Sequence, residues 1–211
     1  MNTINTNLPQ VQVEIPPTLE NLQLPSPELL QYYKDANDRV IWIDYDIDDT
    51  LMNVTKQILE YNKQDKGIPF ENRKPIKLLI FTYGGDLYPT LALIDVIKIS
   101  KTPVYTYNMG LALSAGFQIL ISGHKRFCLA NSKALYHSGS GGTQGTYEQT
   151  EAQMREYKKM VAYMENNTLS RTKIDLKTFN KNKSKEWYMD ADEQINYGIV
   201  DAVIESADEL F

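Results

Sequence analysis

The architecture of this chain can be read outward from Met109-Gly110-Leu111-Ala112-Leu113-Ser114-Ala115-Gly116-Phe117-Gln118-Ile119-Leu120-Ile121. Apart from Ser114 and Gln118 the run is apolar or small. Gly110, Ala112, Ala115 and Gly116 let backbone approach backbone, and the stretch from Phe117 onward reads as the buried start of a helix. A serine at a strand-to-helix junction lies beside backbone N–H groups that have no partner within the helix. That setting suits a nucleophile next to an oxyanion site. It equally suits a helix cap or a tight packing contact, so the partners of Ser114 must decide.

Upstream, Pro103-Val104-Tyr105-Thr106-Tyr107-Asn108 predicts the strand that feeds this junction. Before it, Lys77-Leu78-Leu79-Ile80-Phe81-Thr82 is a largely apolar strand of the kind buried in a parallel sheet. That strand runs into Tyr83-Gly84-Gly85-Asp86, with a helix over 87–99 behind it. Two glycines after a strand allow unusual dihedrals and expose backbone N–H groups, but the pattern is neither a Walker loop nor a G-x-G-x-x-G fingerprint. Further back, a strand over 39–45 leads into a helix over 48–62. The acidic cluster Asp44, Asp46, Asp48 and Asp49 there reads as helix-start carboxylates rather than a metal site. A first helix is expected after Ser26-Pro27-Glu28, carrying Leu29, Leu30, Tyr32 and Tyr33. Residues 1–26 are polar and proline-rich and predict an extended or disordered arm. Within them Val11-Gln12-Val13-Glu14-Ile15 alternates like an edge strand awaiting a partner.

Downstream, 126–129 and 134–137 predict two short strands, followed by the glycine-rich run 138–146 and a long helix over 147–166. The segment 187–201 contains a short helix ending at Gly198, and the chain closes in a strand over 202–205. Strand alternating with helix is the rhythm of right-handed β-α-β units. The fold class is therefore α/β, with a main domain over 27–211.

Composition narrows the function. The 211 residues carry a net charge of −5 with no basic stripe, which argues against a nucleic-acid partner. The single cysteine, Cys128, has no partner for an internal disulfide and lies in an apolar strand, as suits a reducing compartment. No apolar run reaches the roughly 18–20 residues that span a bilayer, and no signal peptide opens the chain. The expectation is a soluble, cytoplasmic protein without cofactor or metal.

Two histidines are available as a base. His124 lies in a charged turn and reads as a loop residue. His137 ends an apolar strand just before the glycine run, where parallel-sheet proteins place their chemistry. The order of strand-Gly-Gly, then Met109–Gly116, then Arg126-Phe127-Cys128-Leu129-Ala130-Asn131-Ser132 up to His137, resembles the ClpP family of caseinolytic serine peptidases. Gly141-Gly142-Thr143-Gln144-Gly145 and Tyr197-Gly198-Ile199-Val200-Asp201 extend the resemblance, which spans about 40–205.

The resemblance implies a stack of β-α-β units of ClpP/crotonase type with a protruding strand-helix handle that pairs rings. It implies Ser114 as nucleophile, His137 as general base, and the backbone N–H groups of Gly85 and Ala115 as oxyanion hole. Counting back without gaps from Tyr197–Asp201, the family's aspartate is expected at Asn182. An asparagine oxygen accepts the histidine N–H but supplies no charge, a swap worth about 10⁴ in kcat in chymotrypsin-type enzymes. The expected Ser114–His137–Asn182 triad would thus be slow or dependent on assembly. Asp175 and Glu186 are the reserves if the loop is shifted. By the resemblance the chain forms a homo-oligomer, a heptameric ring or double ring, cutting peptides or unfolded proteins inside a chamber. Docking of an AAA+ unfoldase is disfavoured by Lys77 and Leu79, which stand where the family usually shows tyrosines, and by an N-terminal arm unlike the family's axial loop. The competing readings are an inert structural or regulatory subunit of the same fold and a CoA-dependent enzyme of the related crotonase fold.

Overall fold

The computed structural model describes residues 26–139 and 141–210. The alternating run 11–15 and nearly all of the expected arm lie outside the described residues. Among the described residues, 26–34 fall in one unit and 35–139 with 141–210 in another. The Ser26 hydroxyl accepts the Leu29 N–H at 3.2 Å and opens α1 (Pro27–Asp38), with proline where no amide proton is needed. Leu29, Leu30, Tyr32 and Tyr33 are exposed.

The second unit is built on a mostly parallel sheet. Its strands are β1 (Val40–Ile43), β2 (Ile76–Thr82), β3 (Val104–Leu113), β4 (Lys125–Cys128) and β7 (Ala202–Val203), in the spatial order β1-β2-β3-β4-β7. The side-chain period of two sends Ile41, Ile43, Leu78 and Ile80 to one face. There they meet α2 (Met52–Gln64), α3 (Leu87–Ile99) and α4 (Ala115–Leu120) in the main core. Each fully buried Leu or Ile contributes about 1.5–3 kcal/mol. The opposite face holds a smaller cluster of Val40, Leu79, Tyr107 and Ile204, with Leu210 packed against it. Lys77 Nζ donates to the Leu210 carbonyl at 2.7 Å on that side. On the same face by alternation, Trp42 and Phe81 stay exposed.

Helix starts follow their caps. The Asp48 carboxylate accepts the Thr50 N–H and hydroxyl at 2.8 and 2.6 Å in the turn before α2, so one member of the acidic cluster is a cap. Asp86 caps α3, and Thr146 forms a capping box with Gln149 at the head of α5 (Tyr147–Arg171). That helix continues beyond residue 166, where the sequence pattern ended it. Ahead of it, residues 141–146 form no strand, so of the expected handle the helix is regular and the strand is not.

Two features position the site. First, β3 is longer than the pattern predicted and changes neighbours along its length. Its first half pairs with β4 (Tyr105↔Lys125) and its second half with β5 (Lys133–Tyr136), at Leu111↔Lys133. Gly110, at φ 144°, bends the strand between the two halves. Second, β5 pairs antiparallel with β6 (Trp187–Met189), through Ala134↔Met189, Leu135↔Tyr188 and Tyr136↔Trp187. The stretch read around 187 as the approach to a helix therefore begins as a strand, and only then enters α7 (Ala191–Asn196). Arg126 locks the far edge: it grips Asp201 with Nε and Nη2 (3.2 and 2.6 Å) and donates through Nη1 to the Arg171 and Gly198 carbonyls. The family-like Arg126 and Asp201 are thus structural. No helix among the described residues is long and apolar enough to cross a membrane.

Candidate active site

Ser114 sits where β3 ends and α4 begins, with φ 56° and ψ −116°. For a non-glycine residue such a conformation costs about 1–3 kcal/mol and persists only where its surroundings impose it. Here they do. The Ser114 N–H donates to Leu135 O at 2.9 Å, and its carbonyl accepts the Gln118 N–H at 3.3 Å. From the other side Gly84 presses in so closely that a Cβ there would lie 2.7 Å from Ser114 Cβ. Gly116 is equally required, because a Cβ would meet Thr82 Cγ2 at 2.5 Å. The small residues around Ser114 are what let the β2 end and the β3–α4 junction touch.

His137 follows directly on β5. Its Nε2 lies 2.7 Å from Ser114 Oγ, and its Nδ1 lies 3.0 Å from Glu186 Oε1. A carboxylate only accepts, so the proton belongs on Nδ1; the Nε2 lone pair is then free to accept from the serine hydroxyl. The β5–β6 register explains the pairing. One step beyond Tyr136↔Trp187, an antiparallel ladder sets position 137 opposite 186, and directly opposed Cβ atoms lie about 4.5–5.5 Å apart.

Asn182 is not at this position. It is the last residue of α6 (Leu176–Asn182), and its Nδ2 donates back to Thr178 O at 2.9 Å. Of the expected third members, the structure brings Glu186 to the histidine and leaves Asn182 on α6. Asp175 is also committed elsewhere, capping α6 through Thr178. Glu186 is 62 % exposed against 22 % for His137, so its charge acts through partly solvated space. His124 stays remote: its Nδ1 accepts the Val104 N–H at 3.0 Å and helps to seat the start of β3.

The Gly84-Gly85 turn is tied down by a parallel bridge to Ile47, with Ile47 N–H to Gly84 O at 2.7 Å and Asp86 N–H to Ile47 O at 2.8 Å. Gly85 itself, at φ 146°, has no room for a side chain because Ile47 O occupies the place of a Cβ. Its N–H has no acceptor among the described residues, nor has the N–H of Ala115 in the first turn of α4. Two free donors thus come from the two segments that flank Ser114. A cleft of about 230 Å³ joins Gly85, Ser114 and His137 to Tyr83, Leu87, Gln118, Gly139 and Met164. Gln118 is fixed in the cleft wall, donating to Thr168 Oγ1 and accepting from Asn167 Nδ2, both at 3.0 Å. The available signal for Glu186 was the alternation Trp187 in, Tyr188 out, Met189 in, followed by the Asp190–Glu193 capping box that starts α7.

Comparison with known proteins agrees with this geometry. The family model described as Clp protease matches residues 28–207. The "ATP-dependent Clp protease proteolytic subunit 2" of Treponema pallidum is 34 % identical over 65 % of this chain and 70 % of its own length. The "ATP-dependent Clp protease proteolytic subunit" of Streptococcus mutans is 32 % identical, and that of Streptococcus uberis 31 %, each over 83 % of this chain and 89 % of its own. With its serine at the strained junction, its histidine at the strand end, and a family match running nearly from end to end, the chain belongs to the Clp protease family.

Proposed function

We propose that this chain is a serine endopeptidase in which Ser114 attacks the peptide carbonyl, His137 takes and returns the proton, and Glu186 orients and balances the imidazolium. The observation that carries this reading is the relay Ser114 Oγ–His137 Nε2 at 2.7 Å with Glu186 on Nδ1. As the tetrahedral intermediate forms, negative charge develops on the former carbonyl oxygen. The free N–H groups of Gly85 and Ala115 are the donors for it, and one such donor is worth roughly 10²–10³ in rate. Leu87 and Met164 give the cleft an apolar wall, which suits an apolar side chain next to the scissile bond. The carboxylate on His137 supports an active subunit over an inert one, and the Ser114–His137 contact supports peptide hydrolysis over acyl-CoA chemistry.

The relatives' names describe a proteolytic subunit of an ATP-dependent protease. Those names support a separate ATP-using partner of the AAA+ class for the proposed assembly, against the reading from Lys77 and Leu79 that disfavoured its docking. The sheet face that bears exposed Trp42 and Phe81 supports an oligomer, because parallel sheets are ordinarily covered on both sides. The deciding test is intact-protein mass spectrometry after incubation with a fluorophosphonate. One adduct on the wild type, absent from Ser114→Ala and His137→Ala, is the expected result. No adduct on an oligomeric wild type would overturn the reading.

A further inference from the structure

Glu186 lies one residue outside β6, its backbone has no hydrogen-bond partner among the described residues, and its side chain is mostly solvent-exposed. The β5–β6 ladder sets Glu186 opposite His137, and further contacts tie down the turn that leads into it. The Ser138 hydroxyl, one residue past His137, donates to the Lys183 carbonyl at 2.7 Å. Lys183 begins the turn that leads into Glu186. Its Nζ also bridges to Glu165 on α5 at 2.9 Å. On the other arm, the Tyr157 hydroxyl of α5 donates to the Ser138 carbonyl at 3.1 Å. Gly139 makes that approach possible: it sits at φ 84°, and a Cβ there would lie 2.9 Å from the Tyr157 oxygen. The eight-residue separation of Tyr157 and Glu165 spans about 12 Å of helix, so one face of α5 reaches both arms.

We propose that Ser138 is a positioning residue, tying the turn that leads into Glu186 to the strand end that carries His137, while Tyr157 holds Ser138 from α5. The inference rests on the Ser114–His137–Glu186 reading above. Ser138 touches no reacting atom. It acts by keeping the carboxylate within hydrogen-bonding distance of Nδ1, a requirement that grows as the imidazolium forms and therefore falls on kcat.

The test is a double-mutant cycle on the full chain with a fluorogenic peptide, together with hydrogen exchange of the 183–186 backbone followed by mass spectrometry. Ser138→Ala is expected to lower kcat by about two- to tenfold, the scale of one neutral hydrogen bond, with KM unchanged. In a Glu186→Ala background the same substitution is expected to do nothing further, and Ser138→Thr to retain most of the activity. Exchange over 183–186 is expected to quicken in Ser138→Ala. A full Ser138→Ala loss in the Glu186→Ala background, or unchanged exchange over 183–186, would overturn the proposal. A wild type that takes no fluorophosphonate would instead overturn the triad reading, while exchange still decides whether Ser138 holds the turn.

Discussion

Glu186→Gln isolates the charge of the third residue, because the amide keeps an oxygen able to accept the Nδ1 proton. When His137 takes the serine proton, the imidazolium and the carboxylate attract each other across about 4 Å. At that separation a pair of unit charges gains about 1 kcal/mol in water and about 4 kcal/mol at the effective dielectric of a protein surface. Glu186 is 62 % exposed and His137 22 %, so the site lies between those limits. A contribution of about 1–3 kcal/mol to the transition state corresponds to roughly 5–150-fold in kcat. This is well below the roughly 10⁴ that follows loss of the aspartate in chymotrypsin-type proteases. Asn182→Ala removes only a contact within its own helix and should leave kcat within about twofold of wild type. Both variants would be assayed by steady-state cleavage of a fluorogenic peptide and by single-turnover fluorophosphonate labelling. If Asn182→Ala lost as much as Glu186→Gln, or if Glu186→Gln kept the wild-type kcat, the register argument for the third residue would fail.

Gly85→Ala places a methyl where Ile47 O already sits, at a φ that disfavours any side chain; labelling should be abolished and thermal denaturation should show a loss of at least about 1–3 kcal/mol. Arg39→Ala leaves the buried Asp65 carboxylate without its bidentate partner (2.6 and 2.7 Å), and chemical denaturation at neutral pH should show about 3–5 kcal/mol of destabilisation. The hydrogen bonds from Arg39 hold the Asp65 carboxyl below its usual range against the opposing effect of burial. That stabilisation is complete above the unfolded-state value of about 3.9 and is lost as pH falls through it towards the lower folded value. The Arg39→Ala variant should therefore lose less stability than wild type between neutral pH and about pH 3 in melting curves.

Much of this was legible before any coordinates. The strands β1 and β2 each carried an apolar run of four residues, and Ser26-Pro27 marked the start of α1. The pairing of Ser114 with His137 came from the resemblance carried by Met109–Gly116 and Arg126–His137, and the structure places their side chains 2.7 Å apart. Glu186 was reached only as a reserve behind Asn182, and the reason is physical. Its place depends on β6, a strand of three residues, too short for alternation to stand out beside the capping box behind it. Without that strand, position along the chain was the guide to the proposed third residue, and it put Asn182 first with Glu186 in reserve. The length of β3 was missed for a related reason: Gly110 looks like a terminator in sequence, yet in the sheet it is the bend at which the strand changes neighbours.

The antiparallel β5–β6 ladder has one more implication. His137 and Glu186 stand 49 positions apart, yet their opposition is set by three residue pairs that adjoin them. Whatever lies between can be lengthened, shortened or resurfaced without shifting the two side chains past each other, provided its few contacts back to the strand ends survive. Descendants of such a chain are free to change their assemblies by rebuilding α5 and the loop before it, while inheriting the chemistry intact.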